Sequence, residues 1–248
     1  MWGKALRSFG LAVVALGLLA ISASAQDFQK SYRLAPGSSV QISNISGDVV
    51  VTGYDGDAII VTGTKEGENL DVVTIEDRST PNTVDVGVHY PNNCRHCNAS
   101  VQFQVQVPRS MNYNLDRIRS VSGDIRVTGA TGRLDASTVS GNVTVSDFAG
   151  PVSAKSVSGD VDAEITRLES SGDMTFNTVS GNVNVKVPQN LDAQVELASF
   201  SGSIDTNLPL QIEKARYTSS QKATGQLGSG SRRLNMHTVS GNVSLRTL

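Results

Sequence analysis

Aromatic side chains are scarce in this 248-residue chain, at 5%. The only tryptophan is Trp2, and Tyr32, Tyr54, Tyr90, Tyr113 and Tyr217 are widely spread. A sugar-cleaving cleft usually offers aromatic platforms, so their scarcity argues against one. Three histidines leave little material for a catalytic triad, and no G-x-S-x-G run is present. After the first residues no apolar run is long enough to span a bilayer. The net charge of −2 does not suggest nucleic acid or an anionic membrane as partner. There are only two cysteines, Cys94 and Cys97.

The N-terminal stretch "MWGKALRSFGLAVVALGLLAISASAQ" reads as a secretory signal peptide over residues 1–25. Lys4 and Arg7 form its basic region, Leu11 to Ala20 its apolar core, and Ala23-Ser24-Ala25 a small-x-small cleavage site. The core is short for a membrane anchor, and no cysteine follows it to carry a lipid. The expectation is export to the periplasm of a Gram-negative cell or to the outside, with no stable membrane anchor. Removing Lys4 and Arg7 and no acid would take the net charge from −2 to −4.

What the chain has in abundance is one short phrase. "TVSGNV" occurs at Thr138, Thr178 and Thr238, with the variants "SVSGDI" at Ser120 and "SVSGDV" at Ser156. Aligned on the glycines, nine-residue units start at Gly47, Gly56, Gly123, Gly132, Gly141, Gly150, Gly159, Gly172 and Gly181. Further units fit at Ala193, Gly202, Arg232 and Gly241. The second residue after each start is apolar in all thirteen, and the fourth in all but the unit with Thr206. The residue between them is polar except at Val50 and Ile59. A third apolar position often lies seven after the start, at Val121, Val139, Val157, Val179, Phe200 and Val239.

Period-two alternation gives each unit one short half-buried strand. Fixed spacing with one inward register predicts stacked coils, because each position then sits above its own copy. Units with and without a serine before the glycine alternate, so the natural coil is eighteen residues with two kinds of corner. The expected fold is all-β, a single-domain β-solenoid over residues 26–248 resembling a parallel β-helix. Residues 66–119 break the period and read as an insertion of three alternating strands that could form an antiparallel sheet. Residues 211–231 read as a Gly/Ser-rich loop. "VPRSMNYNL" from Val107 echoes "VPQNLDAQV" from Val187, suggesting a larger duplication.

The corner glycines Gly47, Gly123, Gly141, Gly159, Gly181, Gly202 and Gly241 are expected to be architectural. Glycine takes positive φ without a Cβ clash, and the Asp or Asn that follows bonds its own backbone at turns. Stacked Ser and Asn side chains can hydrogen-bond up the ladder. The Cys94–Cys97 pair, in "NNCRHCNAS", is expected to form a disulfide in an exported chain, with a redox or metal role as alternatives. A calcium-binding β-roll shares the nine-residue period, but it carries two glycines and an Asp in every unit. The outward charges Arg126, Asp135, Asp162, Glu196 and Asp205 are scattered among Ser, Thr and Asn, which disfavours a polysaccharide-active β-helix enzyme. No catalytic, cofactor or metal residue is assigned.

Three stretches carry a family resemblance: "ISNISGDVVVTGYDGDAIIVT" (Ile42–Thr62), the repeated Ser-Gly-Asp/Asn-Val corners, and "GSGSRRLNMHTVSGNVSL" (Gly228–Leu245). They resemble a bacterial family of exported or envelope-facing β-strand-repeat domains. The family is catalogued as a domain of unknown function, as "putative adhesin", and sometimes as toast-rack domains. The resemblance implies a β-solenoid with a binding, scaffolding or envelope-stress role, without established catalytic residues. The cysteine loop is not part of that pattern. The combined expectation is a non-enzymatic envelope protein that needs no cofactor and whose partner is an unknown envelope protein or glycan.

Overall fold

The computed structural model describes residues 27–91, 98–168, 172–216 and 218–248. The alternation seen in the sequence becomes strands with one buried face. In Val143–Ala149, Val143 and Val145 point inward and Thr144 outward. Asp147 takes φ 48° at a register break, and the bulge returns Phe148 to the core at 0% exposure. All thirteen second-position residues, from Val49 to Val243, are buried.

Two long sheets face each other across this core. The first contains, in hydrogen-bonded order, Phe28–Tyr32, Ile59–Gly67, Ala99–Pro108, Val49–Tyr54, Ile125–Thr128, Val143–Ala149, Val161–Arg167, Val183–Val187, Val243–Thr247 and Ile204–Thr206. The second runs Thr74–Asp77, Thr83–His89, Ser39–Ser43, Tyr113–Arg119, Gly132–Ser137, Val152–Lys155, Met174–Ser180, Arg233–Ser240, Ala193–Ser201, Gln221–Leu227 and Gln211–Lys214. From Tyr113 to Thr206 the chain crosses between sheets after every strand and the stacked strands pair in parallel, so the fold is a solenoid. The coil is eighteen residues where the repeat is purest: Ile125 pairs with Val143 and Val143 with Val161. Ser-Gly corners lead from the second sheet into the first. The other corner type, at Gly132 and Gly150, leads back.

The order of coils differs from the order of the sequence at both ends. The first coil, Ser39–Tyr54, lies between the later coil Thr83–Pro108 and the coil Tyr113–Thr128. The last coil, Arg233–Thr247, lies between Met174–Val187 and Ala193–Thr206. Each arrangement needs the chain to skip one rung, and the two echoing segments are those skips. Proline, which has no N–H to donate to a ladder, ends the strand in both. A turn follows, closed by Met111 N–H to Pro108 O at 3.4 Å and by Leu191 N–H to Pro188 O at 3.1 Å. Leu191 is buried and Met111 packs on the core, which fixes the path of each skip.

The irregular segments therefore take roles the period alone did not show. Residues 66–119 do not form one separate antiparallel sheet: Thr74–Asp77 pairs antiparallel with Thr83–His89, but Ala99–Pro108 lies in the other sheet. Thr83–His89 and Ala99–Pro108 form a coil parallel to Ser39–Tyr54, and Tyr113–Arg119 starts the next one. The Gly56 unit is not a rung: Ile59–Gly67 pairs antiparallel with Ala99–Pro108, and Ile60 turns outward. Within 211–231, Gln211–Lys214 and Gln221–Leu227 form an antiparallel hairpin on Ala193–Ser201. The Asp192 carboxylate holds the Gly/Ser turn that follows, accepting from Ser229 Oγ at 2.7 Å and from the Gly230 amide at 2.6 Å. These antiparallel strands cover edges that a solenoid otherwise leaves open.

Candidate interaction surface

The repeated corner builds three parallel ladders along one edge of the stack. The first is of glycines: Gly47, Gly123, Gly141, Gly159, Gly181, Gly241 and Gly202 stand in one column. A Cβ on Gly141, which has φ 153°, would lie 2.2 Å from the Gly123 carbonyl oxygen. The second ladder is of buried hydroxyls. Thr138 donates to Gly123 O at 3.0 Å, Ser156 to Gly141 O at 2.8 Å and Thr178 to Gly159 O at 2.8 Å. Ser120, Thr238 and Ser199 repeat the bond, and Asn44 donates through Nδ2 to Gly47 O.

The third ladder is of side-chain oxygens accepting the next rung's backbone amide. Gln102 takes that of Asp48, Asp48 that of Asp124, Asp124 that of Asn142, Asn142 that of Asp160, and Asp160 that of Asn182. Asn182 and Asn242 continue it to Ser203. Asp and Asn present the same acceptor, which is why they interchange in the repeat. Their alternation also spaces the charges. The one place where two acids adjoin, Asp48 and Asp124, is bridged by Arg126, 2.8 Å from Asp48. The Asp or Asn oxygen of each corner and the buried hydroxyl two residues before its serine thus have structural partners, and among the described residues the Ser-Gly-Asp/Asn motif assembles no reactive cluster.

Outside these ladders the same edge carries an apolar ridge. Ile45, Val121, Val139, Val157, Val179, Val239 and Phe200 stand in successive rungs, each 40–61% exposed. They make up seven of the ten exposed large hydrophobic residues among those described. The sequence carried a signal for this. Counting in twos from buried Ile118 puts Ser120 inside and Val121 outside, so this third apolar position is out of phase with the core.

The scattered charges do not converge. Arg126, Asp162 and Asp205 stand on the outer face of the first sheet, Asp135 and Glu196 on that of the second. Asp205 pairs with Arg246, and Glu196 with Lys222 at 2.7 Å. A groove of about 520 Å³ lies on the second sheet near the C-terminal cap. Gln194, Gln226, Arg233 and Asn235 line it, with Glu196 as its single carboxylate. Paired-carboxylate hydrolysis needs two. No group of three or more His, Cys, Asp or Glu side chains among the described residues could hold a metal ion. Tyr32 and Tyr113 are buried, so the tyrosines among the described residues make no row of platforms. Cys94 and Cys97, and the expected signal peptide, lie outside the described residues. No helix among those described is long and apolar enough to cross a membrane.

No curated protein matches this chain. Six solved chains match it, and two of them resemble it at low similarity. One is a putative cell adhesion protein from Clostridium sporogenes ATCC 15579, at 12% identity and TM-score 0.46, covering 89% of this chain and 99% of that one. The other is a putative adhesin from Bacteroides fragilis NCTC 9343, at 11% identity and TM-score 0.38, covering 89% and 96%. The family model described as Toastrack DUF4097 matches residues 38–246, from just before the first coil to the last strand. With the coils, corners and terminal strands inside that span, the chain belongs to the Toastrack DUF4097 family, whose function is unknown.

Proposed function

We propose that the protein is a non-enzymatic binding or scaffolding module of the cell envelope, exported by its N-terminal signal, that engages an envelope protein or glycan through its flat sheet faces. One observation carries the reading. On the first sheet Gln104, Val50, Arg126, Thr144, Asp162, Asn184, Ser244 and Asp205 stand side by side across eight strands. Seven of the eight are polar. A rigid row of amides, hydroxyls and dispersed charges suits an extended polar ligand, and it offers no enclosed volume in which to desolvate a reaction.

The test is binding and turnover measured together. Immobilised exported protein is exposed to envelope polysaccharide and to solubilised envelope proteins. Retention that is lost in a Thr144→Arg/Asn184→Arg variant with unchanged thermal stability supports the reading. Release of shortened saccharides by the purified protein would overturn it in favour of a polysaccharide-active enzyme.

A further inference from the structure

The apolar ridge is not used by the fold. Seven rungs at about 4.8 Å make a straight strip roughly 29 Å long. Side chains two-fifths to three-fifths exposed over that length give a patch on the order of 500 Å², the size that marks an interaction site rather than scattered surface apolars.

Its flanks carry opposite charges. On the second-sheet side, two residues before Val121 and Val157, stand Arg119 and Lys155, both exposed. On the first-sheet side, three residues after it, stand Asp124 and Asp160. Arg119 and Asp124 belong to one coil, as do Lys155 and Asp160. Among the described residues, Lys155 and Asp160 have no oppositely charged partner within 4.0 Å.

We infer that the ridge is the seam of a homodimer, two copies meeting edge to edge with the two-fold axis running along the stack. A two-fold contact needs one self-complementary patch. An axis along the ridge exchanges its sides, so the basic flank of one copy faces the acidic flank of the other at the same level. Lys155 then meets Asp160 of the second copy, Arg119 meets Asp124, which already pairs with Arg126 of its own copy, and each ridge side chain packs on its own counterpart. An axis across the ridge would instead set acid against acid and base against base, and would carry Val121 onto Val239. Both flanking rows add to that patch, toward the roughly 800 Å² per partner that stable dimers use. Both sheet faces of both copies stay open.

The test is the mass of the exported protein in solution, by sedimentation equilibrium or native mass spectrometry at micromolar concentration. The expected result is a dimer. Val157→Lys sets two ammonium groups against each other on the axis and gives a monomer. Lys155→Glu and Asp160→Lys each place like charges opposite one another and weaken the dimer by roughly tenfold or more, about 1.4 kcal/mol. The double swap Lys155→Glu/Asp160→Lys restores it. Val121→Cys tests the direction of the axis: mild oxidation links the introduced thiol of one copy to the same thiol of the other, identified by peptide mass spectrometry. Unchanged thermal unfolding in Val157→Lys keeps its result a statement about association. A monomeric parent, or a dimer indifferent to Val157→Lys, overturns the proposal. So does a link that forms only between Val121→Cys and Val239→Cys chains. Polar-ligand binding to the sheet faces is read separately, so failure of the seam leaves the binding proposal standing.

Discussion

Asn142 joins two rungs: its side-chain oxygen accepts the backbone amide of Asp160, eighteen residues on, at 2.9 Å. The same residue's own amide donates to Asp124 at 2.8 Å. Asn142→Ala should cost about 1 kcal/mol, the worth of one such bond. Thr144→Ala, outward on the same strand, should cost almost nothing. Thermal or urea unfolding compares them. Should Asn142→Ala leave stability intact and abolish binding, the corner would be a functional site.

Gly141 sits 2.2 Å, by its missing Cβ, from the Gly123 carbonyl. Gly141→Ala should therefore cost at least about 3 kcal/mol, on the order of 10 °C in Tm for a chain of this size. Gly37 also has positive φ, at 84°, but nothing lies within 4 Å of its missing Cβ. Gly37→Ala should cost only about 1 kcal/mol, through backbone conformation alone. Equal losses in the two variants would show that φ, and not the close approach of rungs, demands the glycine.

Arg126 separates the only adjoining acids of the acceptor ladder. Arg126→Gln should lower stability by up to about 1 kcal/mol at low ionic strength, and added salt should recover most of it by screening Asp48 from Asp124. Asp48→Asn in that background should recover stability without salt, because asparagine keeps the acceptor and drops the charge. Urea midpoints at low and high salt measure both effects.

Asp77 closes the N-terminal end, pairing with Lys30 across the two sheets. Burial works to raise its pKa, but the bonds from Lys30 and Ser79 outweigh it and hold the carboxyl at about 2. Unfolded, an aspartate titrates near 3.9. The folded value is the lower one, so the stabilisation is full above about pH 4 and is lost as pH falls through about 2. Between those values Phe28–Tyr32 should loosen first, seen as faster amide exchange. Asp77→Asn should remove that pH dependence.

The regular coils were legible because one rule, apolar at every second position, holds wherever strands stack in parallel. Val143 and Val183 are both fully buried, as the period demands. The order of the coils was not legible, because Val183 pairs with Val243 sixty positions on, and alternation carries no information about which rung is the neighbour. That the irregular segments shield the ends of the stack was legible; how they do so was not, because Ile59–Gly67 and Gln221–Leu227 have strand composition but antiparallel partners. The ridge was visible as a third apolar position, yet its exposure follows from parity and not from hydrophobicity.

The interleaved ends change how this solenoid can come apart. In a simple stack the terminal coil is outermost and peels away first. Here the outermost coils are made of internal sequence, tethered on both sides, and each terminal coil is clamped between two others. Peeling the outer coils must open a covalent loop; the C-terminal strand Val243–Thr247 is already shut in between two others, whereas Phe28–Tyr32 at the opposite end is an edge strand, free to fray. The same clasp delays completion. A ribosome must release residues 233–247 before the gap between Met174–Val187 and Ala193–Thr206 can be filled. Until then two strand edges stand open in each sheet, so assembly ends as a keystone insertion and not as a zipper running to the last residue.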